Sequence, residues 1–275
     1  MMDFDVFLGH VAKMITVASL TGLWRRSLLV TADGKRDETT SVAWLQAHPH
    51  YADLRQPEGM PAFSPVSGLD DLSMADCRWL AAQQGFAGFF RRLDDGFEWV
   101  RMLDFCPPGP VKDIGRLYWD GDILVEEGRD VPYLEHWHRD PSRPVAPTAS
   151  LVLAAPQSAA PGMLVRAGAD FMYARGRPAP LPPGAELPVL VAAAPDLAAA
   201  RRLLDCEISQ GVVEGGAWRI TRSTLPYRVG DDLAPQLTPA GVTVADRAAS
   251  GAAGRTAWRS IEARGDTSAF FDASA

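Results

Sequence analysis

The ten residues from Tyr133 to Ser142, Tyr-Leu-Glu-His-Trp-His-Arg-Asp-Pro-Ser, place a phenol, two carboxylates, two imidazoles and a guanidinium around one indole. Read as a strand, the segment puts Tyr133, Glu135, Trp137 and Arg139 on one face and Leu134, His136 and His138 on the other. Neither face is plainly apolar, as one face of a purely structural strand would be, so the segment reads as the lining of a polar pocket. Glu135 in a low-dielectric cavity would have a raised pKa and could act as acid or base, with Arg139 or Arg222 holding developing negative charge. A buried Glu–Arg pair serving only structure fits the same residues. His136 and His138 stand at a spacing that can present two imidazoles to one metal, and His48 and His50 repeat it around Pro49. Neither pair has a clear acidic third ligand, so an outward or hydrogen-bonded pair is the default, and the expectation is no metal and no cofactor.

Other short segments carry the same alternation. Tyr51, Asp53 and Arg55 share one strand face, as do Trp44 and Gln46; Glu98 alternates with Trp99 and Arg101. Such sets either line a cavity beside aromatic walls or form an outward, salt-bridged face. Arg219 to Arg228 adds Arg222 as a group able to grip a carboxylate or phenolate, or else marks a strand edge that Pro226 ends.

The elements that would position these residues are short, alternating and separated by turns. Gly22 to Thr31, Ser41 to Ala47, Tyr51 to Gln56, Phe86 to Leu93, Phe97 to Phe105, Arg116 to Trp119, Ile123 to Glu127 and Tyr133 to Arg139 read as strands, with Asp-Gly turns at 33–34, 95–96 and 120–121. Eight strands are the number at which a closed barrel is just wide enough for side chains or one small ligand. One helix, Ser73 to Gln84, would set Trp79 and Leu80 on a barrel mouth as lid or plug. A Pro/Ala/Ser-rich stretch from Asp140 to Pro161 reads as a linker with one short strand, Ser150 to Ala155, and Gly162 to Gly176 follows as a strand bent or split at Gly168. A short helix follows at Asp196 to Leu204, then a hairpin across Glu214-Gly215-Gly216, and a strand or helix at Thr256 to Ala263. The chain divides accordingly into 1–145 and 146–275.

Composition narrows the partners. A net charge of −7 opposes nucleic acid, which needs a clustered basic surface. Cys77, Cys106 and Cys206 are too far apart in sequence for a C-x-x-C site and suit a reducing compartment. Met1 to Leu20 has an apolar run behind only Lys13, with acids at Asp3 and Asp5, unlike a signal peptide. No stretch reaches a membrane span. The expected setting is the cytoplasm, without a membrane partner and with a homodimer through a barrel edge as one option.

Gly22-Leu23-Trp24 with Arg25 and Arg26, and Gly216-Ala217-Trp218 with Arg219 and Arg222, resemble the G-x-W signature of the calycin superfamily, which includes the lipocalins. In that family the Trp closes one barrel end and an arginine of a nearby strand stacks on it. Glu135 to Arg143 followed by Gly162 to Phe171 is similar to the family of a fungal casein-kinase-interacting protein, in which E-x-W-x…D-P-S precedes G-L-V-I-V-x-G-R-W. Ala169-Asp170 departs from that pattern, where the family has a bulky residue. The resemblance implies two lipocalin-like barrels in tandem and some partner binding, and no settled chemistry. The resulting expectation is an all-β, antiparallel calycin architecture with one or two short helices. Its function would be to enclose a small, largely apolar or aromatic molecule. A cofactor-independent lyase, isomerase or dehydratase and a protein-interaction scaffold are the alternatives.

Overall fold

The computed structural model describes residues 14–63, 65–107, 109–156 and 160–271. Most of the N-terminal stretch considered above, residues 1–13, therefore lies outside the described residues. The first sheet comprises β1 (Gly22–Thr31), β2 (Arg36–Asp37), β3 (Ser41–Ala47), β4 (His50–Gln56), β5 (Gln84–Leu93), β6 (Gly96–Asp104), β7 (Ile114–Asp120), β8 (Ile123–Gly128) and β9 (Tyr133–Arg139). Apart from β2, a short flap on the far half of β1, each strand pairs antiparallel with the next. β9 returns to β1, from Trp24 opposite Arg139 to Thr31 opposite Tyr133, and closes an eight-stranded barrel. Closure removes both edges of the barrel wall, so each of its eight strands finds two wall neighbours.

Glycine shapes the wall at one tight point. A register shift between Ala87 and Gly88 lets β5 approach β6 so closely that a Cβ on Gly88 would sit 1.9 Å from the Val100 carbonyl. The wall is weakest between β6 and β7, which are paired only at Phe97–Gly115 and Glu98–Ile114 before the connection from Phe105 to Asp113 departs.

The second sheet holds β10 (Thr148–Ala154), β11 (Pro161–Ala167), β12 (Asp170–Arg175), β13 (Glu207–Glu214), β14 (Ala217–Ser223), β15 (Gln236–Thr238), β16 (Gly241–Arg247) and β17 (Ala253–Gly265). Their order, β14-β13-β12-β11-β10-β17-β16-β15, curls without closing. The tandem is thus one complete barrel and one half-barrel, whose concave side is filled by Phe171, Tyr173, Trp218, Trp258 and Phe270.

The outer faces of β3 and β4 (Leu45, Ala47, Ala52, Leu54) pack on Val165, Met172 and Ile208 of the second sheet. Burial on both faces explains why β3 and β4 are enclosed almost without interruption. Three short helices, α1 (Met74–Leu80), α2 (Leu187–Ala192) and α3 (Leu197–Leu203), join this shared core through Cys77, Leu80, Val191 and Ala200. A capping box between Ser73 and Asp76 starts α1. The helix therefore braces the junction rather than plugging a barrel mouth, because its apolar side meets the apolar outer faces of the two sheets.

Candidate functional site

Inside the barrel, the half nearest the start of β1 is an aromatic plug. Trp44 lies 5.9 Å from Trp24, 5.6 Å from Trp99 and 5.6 Å from Trp137, and Phe90 lies 4.6 Å from Trp99 (ring centroids). Trp24 donates its indole N–H to the Leu20 carbonyl at 2.7 Å. The guanidinium of Arg139 stacks 4.9 Å from the Trp24 ring and donates to the carbonyls of Ser19 and Thr21. The arginine on Trp24 is thus Arg139 of the last strand, not Arg25 or Arg26. Its hydrogen bonds and stacking are spent on closing the barrel end, so the catalytic role expected for Arg139 has no geometric basis. Gln46 is committed likewise: its amide donates to the carbonyls of Pro49 and His50 and its oxygen accepts from Trp44 at 3.3 Å.

The opposite half is charged. Arg26 bridges Glu135 (2.6 Å) and Asp37 (2.8 Å); Arg55 bridges Asp53 (2.8 Å) and Glu135 (3.5 Å); Arg101 bridges Asp113 (2.6 Å) and Asp104 (3.5 Å). Phe86 lies under two of these cations, 3.6 Å from Arg101 and 5.1 Å from Arg55. Burial pushes the Asp104 carboxyl up to about 7 and raises Asp53, with the adjacent arginines opposing both shifts. Glu126, directly across from Glu135 in the β8–β9 register, receives the Tyr133 hydroxyl at 2.6 Å and the Trp137 indole N–H at 3.0 Å. Burial, reinforced by the Glu135 charge, raises Glu126 well above the usual carboxylate range, with the Tyr133 hydroxyl and Arg55 opposing. Glu135 is the shared partner of two guanidinium groups, those of Arg26 and Arg55. Three enclosed atoms here, the Tyr51 hydroxyl, Glu135 Oε2 and Arg101 Nε, have no hydrogen-bond partner.

Between these halves lies a chamber of about 10 Å³, room for a single water. Trp44, Phe86, Trp99 and Trp137 wall it, with Asp53, Arg55, Asp113 and Glu126. Where β6 and β7 part, a cleft of about 330 Å³ opens to solvent. Trp99, Arg101, Asp113 and Tyr133 of the interior reach it; Val100, Pro110, Val111, Ile114 and Val131 form a mainly apolar rim, which the Lys112–Glu98 ion pair (3.7 Å) interrupts. Val111 and Val131 are about half exposed, at 49% and 50%. A larger groove, about 940 Å³, runs between the β5–β6 and β7–β8 turns at the plugged end. Its polar groups, Asp94, Asp95 and Asp122 of the turns with Arg92, Arg116 and Tyr118 of β5 and β7, are cut off from the charged interior by the aromatic plug.

Of the residues singled out from sequence, Trp44, Gln46, Tyr51, Asp53, Arg55, Arg101, Tyr133, Glu135 and Trp137 share the inner face of this one barrel. His136 and His138 do not: β9 turns them outward, where His138 is exposed and meets Ser27 Oγ at 2.8 Å, so neither imidazole can act in the cavity. Arg222 belongs to the junction, bonding Gln56 (3.0 Å) and the Ser41 carbonyl (2.8 Å) from the second sheet, so it cannot bind a ligand in the barrel. Sequence reading passed over Phe86, Asp104, Asp113 and Glu126, and took Arg26 only as a companion of Trp24. Arg26 and Glu126 were within reach of the alternation rule, two residues from Trp24 and Leu124 on the same faces; Asp104 and Asp113 flank a connection whose path no local pattern dictates.

No family model matches the sequence, and no curated protein matches it. Among solved structures, the uncharacterized protein YLR301w from Saccharomyces cerevisiae is similar, with a TM-score of 0.50 and 15% identity over 88% of this chain and 98% of that one. At that identity the likeness establishes a shared fold.

Proposed function

We propose that the first barrel binds a small, largely apolar or aromatic molecule at the cleft between β6 and β7, with the chamber behind it receiving one polar atom. The supporting observation is that the cleft is rimmed by exposed valines yet floored by Trp99, Arg101, Asp113 and Tyr133 of the interior face. That combination of a mainly apolar rim and a few convergent polar groups is what small-molecule sites share. The aromatic plug leaves no room for a ligand deeper in the barrel. The Trp24–Arg139 closure supports placing the chain with the calycins, and the gap between β9 and β10 supports dividing it near residue 145.

Titration of indole and benzyl alcohol, followed by tryptophan fluorescence and backbone amide shifts, tests this reading. Saturable shifts at Val111, Asp113, Val131 and Tyr133, abolished by Val131→Trp, are expected. Shifts confined to the 940 Å³ groove would overturn it.

A second reading, acid–base catalysis without a cofactor, rests on the Glu126–Glu135 pair. Two carboxyls lie opposite one another, one carrying only neutral donors and the other held by arginines, the arrangement that separates an acid from a base. Loss of turnover in Glu126→Gln with binding retained would favour this reading.

A further inference from the structure

We propose that the ligand of this cleft is a small primary amine, its ammonium seated in the water-sized chamber against Glu126 and its apolar body resting on the cleft rim. This rests on the cleft being the binding site and adds the chemistry of what it takes.

The first argument is a charge count. Each interior arginine already lies between two carboxylates: Arg26 between Asp37 and Glu135, Arg55 between Asp53 and Glu135, and Arg101 between Asp113 and Asp104. Those five acids are all engaged. Glu126 is the sixth, and its two partners, the Tyr133 hydroxyl and the Trp137 indole, are neutral donors. No cation among the described residues makes a salt bridge to it. An arriving anion would meet three arginines that are already taken, one orphan N–H on Arg101 and a majority of carboxylates. An ammonium brings three donors and no acceptor, which suits an interior whose other orphaned atoms, the Tyr51 hydroxyl and Glu135 Oε2, can both accept.

The second argument is shape. About 10 Å³ admits one heavy atom with its hydrogens, an NH₃⁺ group, and refuses a carboxylate or phosphate. Three indoles, Trp44, Trp99 and Trp137, wall the chamber, and Trp137 directs its N–H edge at Glu126. The cleft outside shares Trp99 and Asp113 with the chamber, so a ligand head and body would meet a common wall.

Binding also moves a proton. Empty, the Glu126 carboxyl is biased toward its protonated form by burial and by Glu135 and Asp113 facing it, with Tyr133 and Arg55 opposing. When R–NH₃⁺ enters, Glu126 COOH becomes COO⁻, the proton leaves for solvent and the ammonium takes its place as counter-charge.

Isothermal titration of the full chain with benzylammonium, benzyl alcohol and benzoate, near neutral pH in two buffers of different ionisation enthalpy, tests this. Benzylammonium should bind about tenfold or more tighter than benzyl alcohol, the ratio expected of one charge-assisted bond, and release close to one proton. Benzoate should bind more weakly than the alcohol. Glu126→Gln, isosteric with the neutral acid, should bring amine and alcohol to similar affinity. Proton release is read on the wild-type protein and stands if that variant does not fold. Amine and alcohol binding equally to the wild type would overturn the amine assignment and leave the cleft reading intact. Failure of all three to bind would overturn both.

Discussion

Replacing Arg26 by methionine tests whether the charged half of the barrel is as dry as its geometry implies. The Arg26 side chain is 4% exposed and holds Glu135, itself 3% exposed, at 2.6 Å. Without it Glu135 keeps only Arg55, at 3.5 Å. Removing one partner of a buried pair costs about 3–5 kcal/mol, because the survivor has lost both water and counter-charge. The residual Arg55 contact and the 25% exposure of Asp37 place the loss near the lower figure, about 3 kcal/mol. For a chain of this size that is a fall in Tm of roughly 6–12 °C. In the double variant Arg26→Met, Glu135→Met the pair is gone altogether, and stability should return to within about 1 kcal/mol of wild type. Urea unfolding followed by tryptophan fluorescence reads both proteins, since Trp24, Trp44, Trp99 and Trp137 report on this barrel. A single variant as stable as wild type, or a double variant no better than the single, would refute the reasoning. The first result would mean that water reaches Glu135; the second would mean that the cost lies in stranding Asp37 and not in Glu135.

Three further outcomes follow from the same chemistry. Asp104, raised by burial to about 7, stabilises the fold at pH below its ordinary 3.8 and loses that contribution as pH climbs through about 7; Asp104→Asn should flatten the decline in Tm across that window. His50, buried at the junction against Ser150 (2.7 Å) with Glu262 at 3.7 Å, has its pKa lowered by burial, with Glu262 opposing. It therefore costs stability as pH falls below its ordinary 6.5, and His50→Gln should remove that part of the acid loss in a melting series from about pH 7.5 to 5.5. Gly115→Ala would put a Cβ 2.9 Å from Glu126 Cγ and 3.1 Å from its Oε1, pushing the carboxyl off Tyr133 at a cost of about 1–3 kcal/mol. Unchanged stability in that variant would mean that the Glu126 carboxyl does not lie where the geometry puts it.

Much of the first barrel was legible because its strands obey the two-residue period and its hairpins carry Asp-Gly turns. All eight wall strands fall where alternation predicts them, to within a few residues, and the polar sets around Tyr51 and Tyr133 do face inward. The second sheet was harder. Gly168, at φ +62, splits its segment into β11 and β12 as glycine allowed, but β15 and β16 lie in an Ala/Gly-rich stretch with little side-chain pattern. α2 had no sequence signal of its own; burial of Leu187 and Val191 in the junction outweighs its weak helix propensity. The site was half visible for a similar reason. Alternation sorts residues onto faces, and it located Glu135, but it cannot decide which of two facing carboxyls receives the arginines. That choice is made by the β8–β9 register and by the path of Arg26 and Arg55.

The half-barrel follows from what β4 has to do. One face of β4 carries Tyr51, Asp53 and Arg55 into the charged interior, and the other carries Ala52 and Leu54, which would be an exposed apolar stripe on a lone barrel. The second sheet covers that stripe with Val165, Met172 and Ile208, and its polar groups grip the strand at both ends: Ser150 holds His50, while the Ser223 carbonyl and Arg222 hold Gln56. Asp53 and Arg55 are thereby fixed from behind, which matters because ion pairs in a dry interior are favourable only when their geometry is held. Arg222 and His50, read from sequence as candidates for chemistry, serve the site in this indirect way, by anchoring the strand from which it is built.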